Sequence, residues 1–169
     1  LLLERLGRQA PTIPVFLKLK PTMDRRVLAD IVAIADQFPF VAGFGINLPA
    51  GKPSGLECRT SAARLAELPG AVSGRPVERM INANLKLLYE VIGPRSRYKL
   101  MAAGGVYSAD DAYRKIRLGA SLVQLYTALI YRGPGLVKEI LKGLVALLEK
   151  DGFENVADAV GVDVVGSSQ

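Results

Sequence analysis

Four β-type segments, each followed by a stretch with helical spacing, recur along the 169 residues. This alternation limits the fold more than any other feature. Strands separated by helices pair in parallel, because each helix carries the chain back across the sheet. The first strand is read at residues 15–20 and stops at Pro21. Asp24 then caps a helix whose apolar positions, Val27, Leu28, Ile31, Ile34 and Ala35, have helical spacing. The second strand is read at residues 38–46, followed by a Gly-, Pro- and Ser-rich segment, 47–74. A segment of that length inside a compact domain is usually functional or disordered, and here it is read as a long active-site loop. Pro76 suits the first turn of a helix reaching Ile92. The third strand, 98–103, ends in Gly104-Gly105, and Ser108 to Asp111 has the form of a capping box. The helix it opens ends near Leu118-Gly119, and the fourth strand follows at 121–126. The C-terminal helices are expected within 134–160, as a long amphipathic helix over 136–150 and a short one over 154–160.

Two α/β architectures fit: an open doubly wound sheet, or part of a (β/α)8 TIM barrel. A complete barrel takes about 250 residues, so this chain would supply its last four βα units. Residues 1–169 are then the C-terminal half of a barrel, and a first residue other than Met fits an origin in something longer. The absence of histidine excludes Ser-His-Asp and Cys-His catalysis within these residues. With Cys58 as the one cysteine, neither an internal disulfide nor a zinc site is expected, and no metal site is assigned. The net charge of +6 admits an anionic partner. The charges are dispersed, however, at Arg25, Arg26, Lys52, Arg114, Lys115 and Lys138 among others, and are read as solvated helix faces. No Lys/Arg block with interleaved aromatics favours nucleic acid.

Gly104-Gly105 stands at a strand end before a capped helix, where backbone N–H groups can approach a phosphate closely. Tyr126-Thr127 stands at the end of the next strand with a hydroxyl and backbone donors. In barrels, phosphate sites recur at the loops after the last two strands. Lys18 shares a face with Phe16 and Lys20, while Val15, Leu17 and Leu19 share the other, which packs against helices. Lys20 is read as reaching solvent. Lys18 is read as pointing to the barrel axis, buried, and in need of an anionic partner. Before Pro76, either Ser73 or Gly74 is an ordinary N-cap, or the pair approaches a cofactor; spacing leaves both open. Asn47 ends the second strand and is uninformative alone. Tyr107, Tyr113 and Tyr131 are read as packing or rim residues.

The run from Ile116 through Gln124-Leu125-Tyr126-Thr127 to Leu129 strongly resembles the last barrel strand of the dihydroorotate dehydrogenases. So do Gly104-Gly105-Val106, Gly133-Pro134, and the tail from Leu147-Leu148 to Gly152-Phe153, the last in the form of the class 2, quinone-reducing branch. Val72 to Pro76 is similar to the loop before that family's penultimate helix, and Phe16 to Leu19 with Pro21 to its lysine strand. The resemblance implies an FMN-containing (β/α)8 barrel that oxidises dihydroorotate to orotate in pyrimidine biosynthesis, with quinone as acceptor. It implies Lys18 near flavin N1 and O2, where a cation stabilises the anionic reduced ring. It also implies a backbone approach at Gly74, and Gly104, Gly105, Tyr126 and Thr127 around the FMN phosphate. Asn47 falls on the family's substrate-binding Asn and is expected to meet flavin, substrate or both.

The family's Thr-Asn-Thr run here reads Ile46-Asn47-Leu48. Ile46 and Leu48 cannot make the threonine side-chain bonds, and losing a polar partner lowers affinity steeply. This favours, as an alternative, a related FMN barrel with another substrate, with Leu48 still at the substrate wall. A non-catalytic phosphate-binding half-barrel is a further alternative. The resemblance places the catalytic serine in the first half of the barrel, so no catalytic residue is expected in this segment and the isolated segment is expected to be inactive. It places the quinone tunnel and peripheral membrane association in an N-terminal region. The expected location is then the cytoplasmic face of the bacterial inner membrane, or the mitochondrial inner membrane.

Overall fold

The computed structural model describes residues 2–21, 23–94 and 96–165. The strands are β1 (Val15–Leu19), β2 (Val41–Ile46), β3 (Lys99–Ala103) and β4 (Leu122–Gln124). They form one sheet in the order β1-β2-β3-β4, and every pair is parallel. Sequence order and spatial order coincide, as expected when each strand is laid beside the previous one.

Helices α2 (Arg25–Ala35), α4 (Glu78–Ile92) and α5 (Ala109–Arg117) follow the first three strands. Their apolar faces meet one side of the sheet. Leu28, Ile81, Leu85 and Leu88 are fully buried with Phe44, Ile46, Leu100 and Ala102 of the strands, and Leu19 joins them. The opposite face carries Phe16, Lys18, Met101, Leu122 and Gln124, with Leu122 51% exposed. Gly43 and Gly45 lie opposite Phe16 and Lys18 in the register. A Cβ on Gly43 would collide with the Lys99 carbonyl, so this position must be bare for the strands to approach.

The caps read from the sequence are present. Asp24 accepts from the Val27 N–H at 2.9 Å, and Ser108 accepts from the Asp111 N–H at 3.2 Å. Ser108→Ala should therefore cost about 1 kcal/mol, measurable by denaturant titration, with the midpoint falling and the slope unchanged.

Several elements differ from the expectation. Residues 38–40 are a turn and not strand: the Phe38 N–H bonds Ala35 O and the Val41 N–H bonds Phe38 O, while Pro39 has no N–H for a ladder. Two short helices, α1 (Leu2–Gly7) and α3 (Ala62–Glu67), were not expected, and α3 lies inside the long loop, capped by Ser61. The fourth strand is shorter than 121–126, because Tyr126 already accepts from Leu129 and Ile130 and starts α6 (Thr127–Arg132). The long helix is α7 (Gly135–Asp151). Residues 154–160 form turns rather than a helix, since the Asn155 side chain captures the Ala157 N–H. The last helix comes later, as α8 (Val162–Val165).

Candidate functional site

The C-terminal ends of β2, β3 and β4 open into a cavity of about 420 Å³. Ligand pockets span roughly 300–1,000 Å³, so the cavity can hold much of a small cofactor. Its lining includes Asn47, Leu48, Gly74, Gly104, Gly105, Tyr126 and Thr127, all but one of the residues singled out from the sequence. The exception is Lys18. It lies in an adjoining depression of about 200 Å³ with Phe16, Gly45 and Met101. Asn47 and Gln124 border both spaces, so the two are continuous along the strand ends. Lys18 is exposed on the open face and not buried as expected, and among the described residues no carboxylate reaches it. The face it was assigned is correct; the burial would require further chain over that face.

The glycines are dictated by backbone geometry. Gly74, Gly104 and Gly105 have φ of +80°, +91° and +74°, a region costly for other residues. Their neighbours add a second constraint. A Cβ on Gly74 would stand 2.8 Å from the Tyr107 hydroxyl, and one on Gly104 would stand 2.5 Å from Ile81 Cδ1. One on Gly105 would overlap Glu78 Cβ. The turn is thus pressed onto the start of α4. Gly74 is the N-cap of a 3-10 turn, Arg75–Val77, that leads into α4, and no side chain caps it. The Ser73 hydroxyl instead receives the Thr127 hydroxyl hydrogen at 2.9 Å, which pins the start of α6 to the long loop. The first N–H groups of α6 have no partner within the helix, and they lie at the lining residues Thr127 and Ala128.

Behind the glycine turn, on the helix side, is an ionic cluster with a buried centre, Asp111, Glu78 and Lys115, and two half-exposed arginines, Arg75 and Arg114. Asp111 is 4% exposed, accepts from the Tyr107 N–H at 2.9 Å, and accepts from Arg75 at 2.8 Å. Burial alone would raise its pKa, but the Tyr107 N–H, Arg75 and Ser108 outweigh that and hold it below the usual value. Glu78 accepts from Arg75 at 3.1 Å and from Arg114 at 2.8 Å. Lys115 is fully buried, and its ammonium donates to Asn82 Oδ1 at 2.6 Å. Burial pushes it down to about 8, against the pull of Glu78 and Asp111. The reading of Lys115 as part of a solvated helix face is therefore overturned: α5 turns that side toward α4.

Sequence reasoning missed Gln124 and took Tyr107 for a packing or rim residue, while Ser73, left open as part of an approach to a cofactor, does line the cavity. Gln124 had a usable signal, since it lies two residues before Tyr126 and so shares its side of the strand. Tyr107 follows the glycine turn by two residues and is 4.8 Å from the Arg75 guanidinium. Tyr131 is 79% exposed and lines neither space, and Tyr113 is buried against Asp151.

The family model for dihydroorotate dehydrogenase matches residues 2–148. The chain belongs to the dihydroorotate dehydrogenase family. It is 37% identical over 157 residues to the dihydroorotate dehydrogenase (quinone) of Halobacterium salinarum, covering 93% of this chain and 42% of that protein. It is 42% identical over 158 residues to the dihydroorotate dehydrogenase (quinone) of Parvibaculum lavamentivorans, covering 89% of this chain and 41% of that protein. Among solved structures, the dihydroorotate dehydrogenase of Eimeria tenella in complex with ferulenol superposes with a TM-score of 0.76 at 30% identity, over 89% of this chain and 38% of that one. The chain thus spans about two fifths of the length of these relatives. Its parallel sheet is part of a TIM barrel, and dihydroorotate dehydrogenases are flavoproteins.

Set against the dihydroorotate dehydrogenase pattern, the two departures beside Asn47 are not equivalent. Ile46 is 1% exposed and belongs to the helix-side core with Phe44 and Leu100. Leu48 lines the cavity itself. Asn47 Oδ1 is held by the Leu48 N–H at 2.7 Å, which leaves its amide hydrogens to serve a ligand.

Proposed function

We propose that this chain forms the flavin-holding part of a quinone-dependent dihydroorotate dehydrogenase with FMN as its cofactor. The carrying observation is the convergence on one cavity of three separate backbone features: the Gly104-Gly105 turn, the start of α6 at Thr127, and Gly74. The donor set fits a phosphate at one end, because backbone N–H groups and the Ser73 hydroxyl, which accepts from Thr127 and keeps its own hydrogen, bind anions without a mobile charge. The adjoining depression fits a flat ring, since Gly45 interposes no side chain between Lys18 and Met101.

When bound, FMN would accept the hydride removed from dihydroorotate and pass the electrons on to quinone. The chain's own residues prepare that site. Lys18 would present its ammonium to the ring's N1/O2 edge. Asn47 would donate its amide hydrogens to flavin or to the orotate product. Leu48 would form an apolar part of the substrate wall. The base that removes the other proton lies, by the resemblance, on a serine outside these residues. Quinone as acceptor brings with it the proposal of a peripheral membrane location, on the cytoplasmic face in a bacterium or on the mitochondrial inner membrane in a eukaryote.

The test is an absorbance spectrum of the purified full-length protein before and after anaerobic dihydroorotate. Flavin bands that bleach on addition support both cofactor and substrate. Bands that persist keep the flavin and exclude dihydroorotate, favouring a pocket altered at Leu48. No flavin band, with affinity for inorganic phosphate retained, favours the phosphate-binding half-barrel.

A further inference from the structure

We propose that the ionic cluster behind the glycine turn holds one surplus positive charge, supplied by Lys115, that strengthens the site's hold on a phosphate without touching it. This rests on the FMN reading above. The cluster contains three cations, Arg75, Arg114 and Lys115, and two carboxylates, Glu78 and Asp111. Each carboxylate has a guanidinium of its own to bind: Glu78 takes Arg114 and Asp111 takes Arg75, which also reaches Glu78. Lys115 is left with a neutral partner, the Asn82 amide oxygen.

The cluster is also coupled to the turn mechanically. Glu78 is the residue that Gly105 rests on, and the Tyr107 N–H is fixed by Asp111. A charge enclosed there acts through protein rather than through water, where the same interaction would be largely screened. A fully buried ammonium with no anion of its own is otherwise a cost to the fold, and cost without local benefit points to a ligand. Lys115 is thus a positioning residue: it sets the potential at the turn, while the backbone makes the contacts.

The experiment compares FMN with riboflavin, which lacks the phosphate, by fluorescence titration of the flavin-free full-length protein. Two variants are used, Lys115→Met, which keeps the aliphatic volume, and Arg114→Gln, whose side chain is half exposed and whose loss removes a unit of charge without opening the interior. The expected result is an FMN affinity lower by about ten-fold in Lys115→Met and by a smaller factor in Arg114→Gln. Riboflavin affinity should stay within about two-fold in both, and Lys115→Met should unfold no more easily at neutral pH, because it removes an uncompensated buried charge. A merely structural role predicts the reverse, with FMN and riboflavin weakened alike and a less stable protein. An unchanged FMN-to-riboflavin ratio in variants that bind flavin overturns the inference alone. A native protein that binds neither flavin overturns the FMN reading and the inference with it.

Discussion

Gly105→Ala should lower stability by about 3 kcal/mol and abolish retention of flavin through purification. Two independent costs add at this position. The first is conformational, since φ is +74° and an L-residue there is strained by about 1–2 kcal/mol. The second is steric: the new methyl group would overlap Cβ and Cγ of Glu78. Glu78 cannot swing aside cheaply, because it is buried at the first turn of α4 and held by Arg75 and Arg114. The strain therefore moves the turn, and Gly104 and Gly105 of that turn line the cavity. The loss is read as a lower Tm in thermal denaturation of the full-length protein with and without added FMN. Gly152→Ala separates the two costs. Gly152 also has positive φ, +78°, but a Cβ there meets nothing within 4 Å. It should lose about 1 kcal/mol and keep its flavin. Equal behaviour of the two variants would mean that the turn at Gly105 has no special relation to the cavity.

What could be read from the sequence follows the range of the forces involved. The four strand segments, the caps at Asp24 and Ser108 and the glycine turn are set by neighbours within a few residues, and all were legible; the strand order was not, since an open doubly wound sheet fitted the same alternation. The cavity's position followed from them, because in a parallel sheet the C-terminal strand ends are brought together by topology alone. The start of α6 was not legible. Tyr126 offers no side-chain cap, and the group that fixes Thr127 is the hydroxyl of Ser73, 54 residues earlier. The buried state of Lys115 was hidden for a similar reason. Within α5 it stands between Arg114 and Ile116 in a strongly charged segment, and only the approach of Asn82 from α4 shows which way it faces. At 154–160 a short helix is read from the sequence, but the Asn155 side chain bonds the backbone locally and wins. In each case the deciding contact is either side chain to backbone or distant in sequence, and neither kind leaves a periodic signal.

Lys18→Met separates binding from chemistry, since it should leave flavin bound but slow its reduction by roughly 10²–10³-fold. Lys18 is exposed on the open sheet face, and among the described residues it makes no ion pair. Its removal should therefore change stability by no more than about 0.5 kcal/mol. In the proposed FMN site the phosphate would sit at the Gly104-Gly105 end of the cavity, which Lys18 does not line, so occupancy should fall little. The reaction would differ, because reduction of the proposed FMN would leave its ring anionic, and Lys18 at the N1/O2 edge would then stabilise it far more than in the oxidised state. Two readouts follow besides turnover. The flavin reduction potential should become more negative in Lys18→Met, and sulfite, which adds to the ring to give an anionic adduct, should bind more weakly. Lys18→Arg, which keeps the charge on a different geometry, should recover the potential better than the rate. A variant with flavin bound and both potential and sulfite affinity unchanged would remove Lys18 from the ring. The adjoining depression would then be a wall of the substrate site alone.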